Sequence, residues 1–489
     1  MSKRRLRPRL GLVAALAVAG AVVGPVSAHA AGTQSAGAQS VRADFNGDGY
    51  ADLAVAASWG KVGGHARAGY VSVVYGSRKG LDTSHRQVIS QNTAGIPGTA
   101  ETQDFFGSGL ALGDLDGDGY ADLVVGAGGE DVGAVQNAGT LTVVWGGKSG
   151  LSGGKVVATG VAGDRVDPSH PAVGDFDGDG HLDVAMTTRL LKGPFTRTTG
   201  AAHSGGLSFD LDYATDDVAA GDVDHDGITD LVGLVHYDGE DGEPELYSVS
   251  YLHGTKQGFD APVILKKADG SRVPGGSSLG IGDVNKDGYA DLVIGRPLDG
   301  SGETQADPDR IGGQVGVLYG SAAGPDTSRT TVIDQNTAGV PGTSEFGDGF
   351  GWGISVADVN GDGYADVAAG SPNEGIGKVA SAGAVTVLRG GKGGLTGAGA
   401  VSFNQNTAGV PGTAEQNDFF GSHTALVDTN NDGRADLYVG APGENTFDGA
   451  AWAFRSTAVG PTASGAVSFG PVALGAPVAD ANFGDDFAR

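Results

Sequence analysis

A nine-residue acidic segment occurs seven times in this 489-residue chain, and no other feature constrains the fold as much. It reads DFNGDGYAD at 44–52, DLDGDGYAD at 114–122, DFDGDGHLD at 175–183 and DVDHDGITD at 222–230. It continues as DVNKDGYAD at 283–291, DVNGDGYAD at 358–366 and DTNNDGRAD at 428–436. Successive copies start 47 to 75 residues apart. Self-similarity at such a period marks a repeat array, in which one small structural unit is copied along the chain.

The flanks identify the unit. Short strand-length runs, many of them β-branched and bounded by glycine, come after the loops, such as Leu123-Val124-Val125-Gly126-Ala127 and, further on, Leu141-Thr142-Val143-Val144-Trp145-Gly146. These are strand signals, and no stretch sustains a 3.6-residue period. Phe-Gly pairs precede three of the loops, at Phe106-Gly107, Phe346-Gly347 and Phe420-Gly421. A linker, QNTAGIPGTAE at 91–101, returns nearly unchanged at 335–345 and 405–415. About four strands fit in each unit, and a single four-stranded sheet cannot bury both faces alone. Radial stacking solves that problem, so the spacing predicts an all-β fold: a seven-bladed β-propeller of four-stranded blades. The first loop stands near the start of the repeats without an upstream Phe-Gly. The last residues, Asn482-Phe483-Gly484-Asp485-Asp486-Phe487-Ala488-Arg489, resemble that missing strand. The C-terminal strand is therefore expected to join the N-terminal blade and close the ring, protecting an otherwise open edge.

The nonapeptide has the chemistry of a calcium loop. Calcium takes six to eight oxygens at about 2.3–2.6 Å. Side chains at positions 1, 3, 5 and 9 and the carbonyl at 7 can converge on one ion, and glycine at position 6 permits the turn. The expected ligands are Asp44, Asn46, Asp48, Tyr50 and Asp52 in loop one, and Asp114, Asp116, Asp118, Tyr120 and Asp122 in loop two. Loop three supplies Asp175, Asp177, Asp179, His181 and Asp183; loop four supplies Asp222, Asp224, Asp226, Ile228 and Asp230. Loop five supplies Asp283, Asn285, Asp287, Tyr289 and Asp291; loop six supplies Asp358, Asn360, Asp362, Tyr364 and Asp366. Loop seven supplies Asp428, Asn430, Asp432, Arg434 and Asp436. Position 12, Glu in an EF-hand, is here an apolar strand residue such as Val125 or Val439, so the loops are not EF-hands. Up to seven structural Ca²⁺ are expected.

Charge and composition bound the partners. The net charge of −27 excludes an electrostatic role on DNA or RNA. Five cations, Lys3, Arg4, Arg5, Arg7 and Arg9, precede an apolar run over 10–23 and a small-x-small Ala28-His29-Ala30. Residues 1–30 thus read as a signal peptide cleaved near Ala30, 31–41 as a flexible segment and 42–489 as the propeller. Losing the five cations takes the charge to −32. No later run is long enough to span a membrane, so a secreted monomer without a membrane span is expected. Cysteine is absent, which removes disulfides and thiolate chemistry.

The Phe-Gly start, the acidic loop and the strand ending Gly440-Ala441-Pro442 resemble FG-GAP repeats, the units of the integrin α-chain N-terminal propeller and its bacterial relatives. The resemblance implies calcium in hairpins on one face, with ligands meeting the other. Phe-Gly is missing before loops three, four and five, and the divergent stretch 161–282 is where a specific partner surface is expected. Two functions are open: an extracellular interaction scaffold binding protein or glycan, or a polysaccharide-active, lyase-like enzyme on a calcium-loaded propeller. Gly276-Ser277-Ser278-Leu279-Gly280 matches G-x-S-x-G but precedes a strand, not a helix, so no catalytic residue is assigned. His170, His203, His236 and His253 read as surface or loop residues. Trp59, Trp145, Trp352 and Trp452 are candidates for sugar stacking, with Trp145 better placed in the core.

Overall fold

The computed structural model describes residues 43–163, 165–209, 214–237, 246–297 and 311–488. The expected signal peptide and flexible segment lie outside them.

The chain folds as a seven-bladed propeller of antiparallel sheets. Blade one contains β1 (Leu53–Ala57), β2 (Tyr70–Tyr75) and β3 (Asp82–Ile89). Blade two contains β4 (Phe106–Gly113), β5 (Asp122–Ala127), β6 (Thr140–Trp145) and β7 (Ser152–Thr159), hydrogen-bonded in chain order. Blades three to seven repeat that order, with first strands at 172–174, 214–221, 278–282, 354–357 and 424–427. In blades two to seven the acidic nonapeptide is the hairpin between the first and second strands, as loop two joins β4 to β5, whereas loop one leads directly into β1.

Burial explains the sequence pattern. β1, β2, β5 and β6 are buried along their whole length, because a neighbouring blade covers each face. A strand covered on both sides reads as a continuous apolar run. β3 lies at the rim and is largely exposed until Ile89, which is buried. The apolar core divides into seven clusters, one at each blade interface. The cluster between blades seven and one holds Leu53, Tyr70, Tyr438 and Ala451 together with Phe483 and Phe487.

The C-terminal segment lies along the free edge of β1. Gly484 donates its N–H to Ala56 O (2.9 Å), Ala56 to Asp486 O (2.9 Å) and Ala488 to Ala54 O (3.1 Å). This is the position that β4 takes beside β5 in blade two.

One expectation about the Phe-Gly pairs needs correction. Phe346 is 76% exposed, whereas Phe350, Phe106, Phe420 and Phe483 are all buried. The pair that opens blade six is Phe350-Gly351, eight residues before its loop, the same spacing as Phe106 and Phe420 from theirs. Its glycine shows why. A Cβ on Gly295 would sit 2.0 Å from Gly351 O, one on Gly370 1.7 Å from Gly421 O, and one on Gly440 2.1 Å from Gly484 O. The glycine of one blade's second strand thus rests directly on the Phe-Gly backbone of the next blade. No side chain fits there.

Candidate metal loops

In six of the seven loops position 1 accepts the amides of positions 5 and 6; in loop six the Asp362 amide goes to Asn360 Oδ1 (2.8 Å) and Asp358 keeps the Gly363 amide. In loop two, Asp114 at position 1 accepts the amides of Asp118 (3.0 Å) and Gly119 (2.9 Å). Asp118 at position 5 accepts the amide of Tyr120 at position 7 (3.1 Å). The same position-5 bond recurs to Tyr50, His181, Ile228, Tyr289, Tyr364 and Arg434, and steadies the backbone beside the expected carbonyl ligand. Position 6 is a left-handed glycine throughout, as at Gly119 (φ 90°). Position 4 is left-handed as well, and there Gly gives way to His225 (φ 61°), Lys286 (φ 58°) and Asn431 (φ 55°). L-residues rarely adopt that conformation, which accounts for the preference for Gly or Asn at a position the metal reading leaves unused.

Position 9 is a buried clamp. Asp52, Asp122, Asp183, Asp230, Asp291, Asp366 and Asp436 are at most 2% exposed. In six of them Oδ2 accepts the amide of position 2 and Oδ1 the amide of a glycine at the end of the third strand. In loop two these donors are Leu115 (3.0 Å) and Gly146 (2.8 Å). Asp436 instead takes the Thr429 hydroxyl (3.0 Å) and the Ser456 amide (2.8 Å). Burial pushes these carboxyls up, to about 7 for Asp52, Asp122, Asp183 and Asp291 and to about 6 for Asp230, Asp366 and Asp436. The amide bonds oppose that rise but do not cancel it. A nearby cation favours the charged form.

Position 3 tests whether the loops suit a cation. Asp116 Oδ1, Asp177 Oδ1, Asn285 Oδ1 and Asn430 Oδ1 are shut off from solvent and meet no hydrogen-bond donor. An unmade buried acceptor costs about 1–3 kcal/mol, so these oxygens fit an oxygen-seeking ion better than an apolar turn. Carboxylate oxygens of Asp114, Asp116 and Asp122 lie within 4.8 Å of one another, as do those of Asp175, Asp177 and Asp179 and of Asp222, Asp224 and Asp226. Asn46 and Asn360 instead bond within their own loops, to Asp48 (3.1 Å) and Asp362 (2.9 Å).

Cations of the chain itself also reach the loops, which the sequence pattern does not reveal. Arg197 bonds Asp116 and Asp118 (both 2.6 Å), and Lys192 bonds Asp177 (2.8 Å). Arg329 approaches Asp287 (3.3 Å), Arg389 approaches Asp366 (3.2 Å) and Arg434 approaches Asp432 (3.2 Å). His253, expected as a surface or loop residue, stands over loop four, 3.1 Å from Asp224 and 3.6 Å from Asp226. Lys192, His253 and Arg389 share one place, just before the clamped glycine, where Tyr75, Trp145 and Tyr319 stand in blades one, two and five. Aligning the third strands would have exposed that variation.

Other candidates resolve simply. Ser278 lies in a strand and donates its hydroxyl to Gly351 O (2.9 Å), so it forms no nucleophile elbow. Trp145 and Trp452 are buried, and Trp452 donates Nε1–H to Pro411 O (2.9 Å). Trp59 and Trp352 are 39% and 42% exposed. Trp59 follows β1, and Trp352 precedes the first strand of blade six. Both therefore lie at the strand ends opposite the acidic hairpins. No helix among the described residues is long and apolar enough to cross a membrane.

A family model described as FG-GAP repeat matches residues 36–74, 106–144, 275–316, 350–388 and 420–454. Blades three and four fall in the unmatched interval, whereas blade five matches although it has no Phe-Gly pair. Integrin alpha-PS2 of Drosophila melanogaster is 30% identical over 216 residues, 40% of this chain and 14% of that protein. Integrin alpha-6 of Homo sapiens is 31% identical over 175 residues, 35% of this chain and 13% of that protein. Phosphatidylinositol-glycan-specific phospholipase D of Bos taurus is 32% identical over 165 residues, 33% of this chain and 18% of that protein. The chain spans less than a fifth of the length of these relatives. Among solved structures, the Dos1 propeller is similar with a TM-score of 0.39 and 11% identity, covering 80% of this chain and 79% of that one. The chain therefore carries FG-GAP repeats and, over part of its length, is similar to integrin α chains.

Proposed function

We propose that the chain is a secreted propeller, stabilised by up to seven structural calcium ions, that serves as an extracellular interaction scaffold for a protein or glycan. The observation that carries the metal reading is the set of buried, donorless position-3 oxygens, Asp116 Oδ1, Asp177 Oδ1, Asn285 Oδ1 and Asn430 Oδ1. Calcium bound there would complete the carboxylate cages and hold the position-9 carboxyls in their charged form. Residues 1–30 act as the export signal in this reading, and integrin α relatives support an extracellular partner. Trp59 and Trp352 offer that partner apolar surface on the face away from the metal loops.

Binding and metal dependence are tested together. Removing calcium from the full chain should lower its melting temperature, and restoring it should reverse the loss. Immobilised polysaccharides and cell-surface proteins should retain the calcium-loaded chain saturably without releasing product. Trp59→Ala and Trp352→Ala should reduce that retention with the melting temperature unchanged. Release of unsaturated uronates, seen by ultraviolet absorbance, would replace the scaffold reading with the enzymatic one.

A further inference from the structure

We propose that loop four is a mixed nitrogen–oxygen site that takes a zinc-class divalent ion in preference to calcium, with His253 as its nitrogen ligand. The inference rests on the reading that the loops hold cations. It departs from that reading in assigning one loop to a different chemical class.

The geometry begins with the strand place just before the clamped glycine. Gly254 donates its amide to Asp230 Oδ1 (2.9 Å), and this fixes the neighbouring His253 above the loop. Its Nε2 lies 3.1 Å from Asp224 Oδ2 and 3.6 Å from Asp226 Oδ2. The Nε2 atom is shut off from solvent and makes no geometrically acceptable hydrogen bond. Asp224, Asp230 and His253 each offer a ligand atom, all within 4.8 Å of one another, which is the reach of a single ion.

The other ring nitrogen supports the same assignment. His253 Nδ1 is 3.0 Å from Asp260 Oδ2. Asp260 in turn donates its amide to His253 O (2.9 Å), across the small hairpin pairing Gly254–Thr255 with Gly258–Phe259. In the neutral ring with its proton on Nδ1, donated to Asp260, Nε2 is the unprotonated nitrogen, within an ion's reach of Asp224 and Asp230. A carboxylate behind a histidine is the usual outer support of a metal-ligating imidazole; it sets the tautomer and raises ligand basicity. Imidazole suits zinc and its neighbours, whereas calcium prefers oxygen alone. Loop four also differs at position 3. Asp224 there accepts the Asp226 amide (3.1 Å) and faces the imidazole, in place of the donorless oxygens of loops two, three, five and seven.

The competing explanation is that His253, as an imidazolium, is itself the cation of loop four, much as the Lys192 ammonium contacts Asp177 in loop three. Metal titration separates the two. The full chain is stripped with chelator, equilibrated with millimolar calcium at neutral pH, and titrated with zinc by calorimetry and with cobalt by visible absorbance. The expected result is one equivalent of zinc bound despite the calcium, with a cobalt spectrum showing a nitrogen ligand. His253→Ala should abolish that equivalent, and Asp260→Ala should weaken it about 10–100-fold. Asp260 is largely exposed, so the second variant remains informative if the first fails to fold. No zinc binding in the presence of calcium, or binding that both variants leave unchanged, overturns the proposal. If calcium fails to move the melting temperature yet one zinc still binds through His253, the calcium reading falls and this one stands.

Discussion

The clamp at position 9 and the cage at positions 1, 3 and 5 contribute to stability in separable ways, and loop one is the place to separate them. Among the described residues it has no cationic partner, so no side-chain cation of the chain competes with a bound ion there. Asp52 is 1% exposed and holds two amides, Phe45 N–H on Oδ2 and Gly76 N–H on Oδ1, both at 2.9 Å. Asp52→Ala leaves both buried donors without an acceptor. At about 1–3 kcal/mol each, the cost is about 2–6 kcal/mol, with or without metal. Asp52→Asn keeps one acceptor oxygen and turns an amide group on the other donor, so roughly half that loss is expected. Asp48, by contrast, is exposed and accepts the Tyr50 amide at 3.0 Å where water can replace it. Asp48→Ala should cost little in chelator and show its effect only with calcium present. Equilibrium denaturation followed by tryptophan fluorescence, in chelator and in calcium, reads both variants. If Asp52→Ala unfolds within about 0.5 kcal/mol of the parent in chelator, the clamp argument is wrong.

With calcium at ten times its dissociation constant each filled loop contributes about 1.4 kcal/mol, so seven would approach roughly 10 kcal/mol; a chelator titration of the melting temperature checks this, and no shift refutes it. The pH dependence has a definite sign. The position-9 carboxyls, raised chiefly by burial to about 6 or 7, bind protons more readily folded than unfolded. Their contribution in metal-free protein is therefore complete below the unfolded carboxylate pKa and is lost as pH rises through about 6–7. Denaturation midpoints in chelator should fall from about pH 5 to about pH 8, whereas calcium affinity should rise over the same range as protons are displaced. A metal-free midpoint that climbs with pH contradicts the account. Phe487, buried in the cluster between blades seven and one and bridged to Val55, tests ring closure by the C-terminal strand. Phe487→Ala should destabilise by about 3–5 kcal/mol, and an unchanged unfolding curve would show that the terminus does not hold the ring.

The blade count, the strand order within a blade and the position of each acidic hairpin were legible because they are local. Asp114 through Asp122 carry their spacing within nine residues, and glycine at position 6 announces the turn. Two further regularities lie in the same residues. Position 2 reads Phe45, Leu115, Phe176, Val223, Val284 and Val359, all buried, because its amide and side chain face inward under the clamp. Position 4 favours Gly or Asn because its backbone is left-handed. The eight-residue spacing of Phe106 and Phe420 from their loops likewise points to Phe350 in blade six.

What the sequence alone determined was the repeating unit, because hairpin loops and apolar strands are specified by residues within a few positions of each other. What the tertiary structure decided was how units meet. The Gly440 backbone rests on Gly484, Arg197 reaches Asp116 across 81 residues, and residues 484–488 pair with β1 at the far end of the chain. Such contacts join residues whose separation follows no local period. Packing the seventh blade against the first brought residues 484–488 beside β1, and the path of each blade's third strand placed His253, Lys192 and Arg389 over loops whose own sequences contain no sign of them.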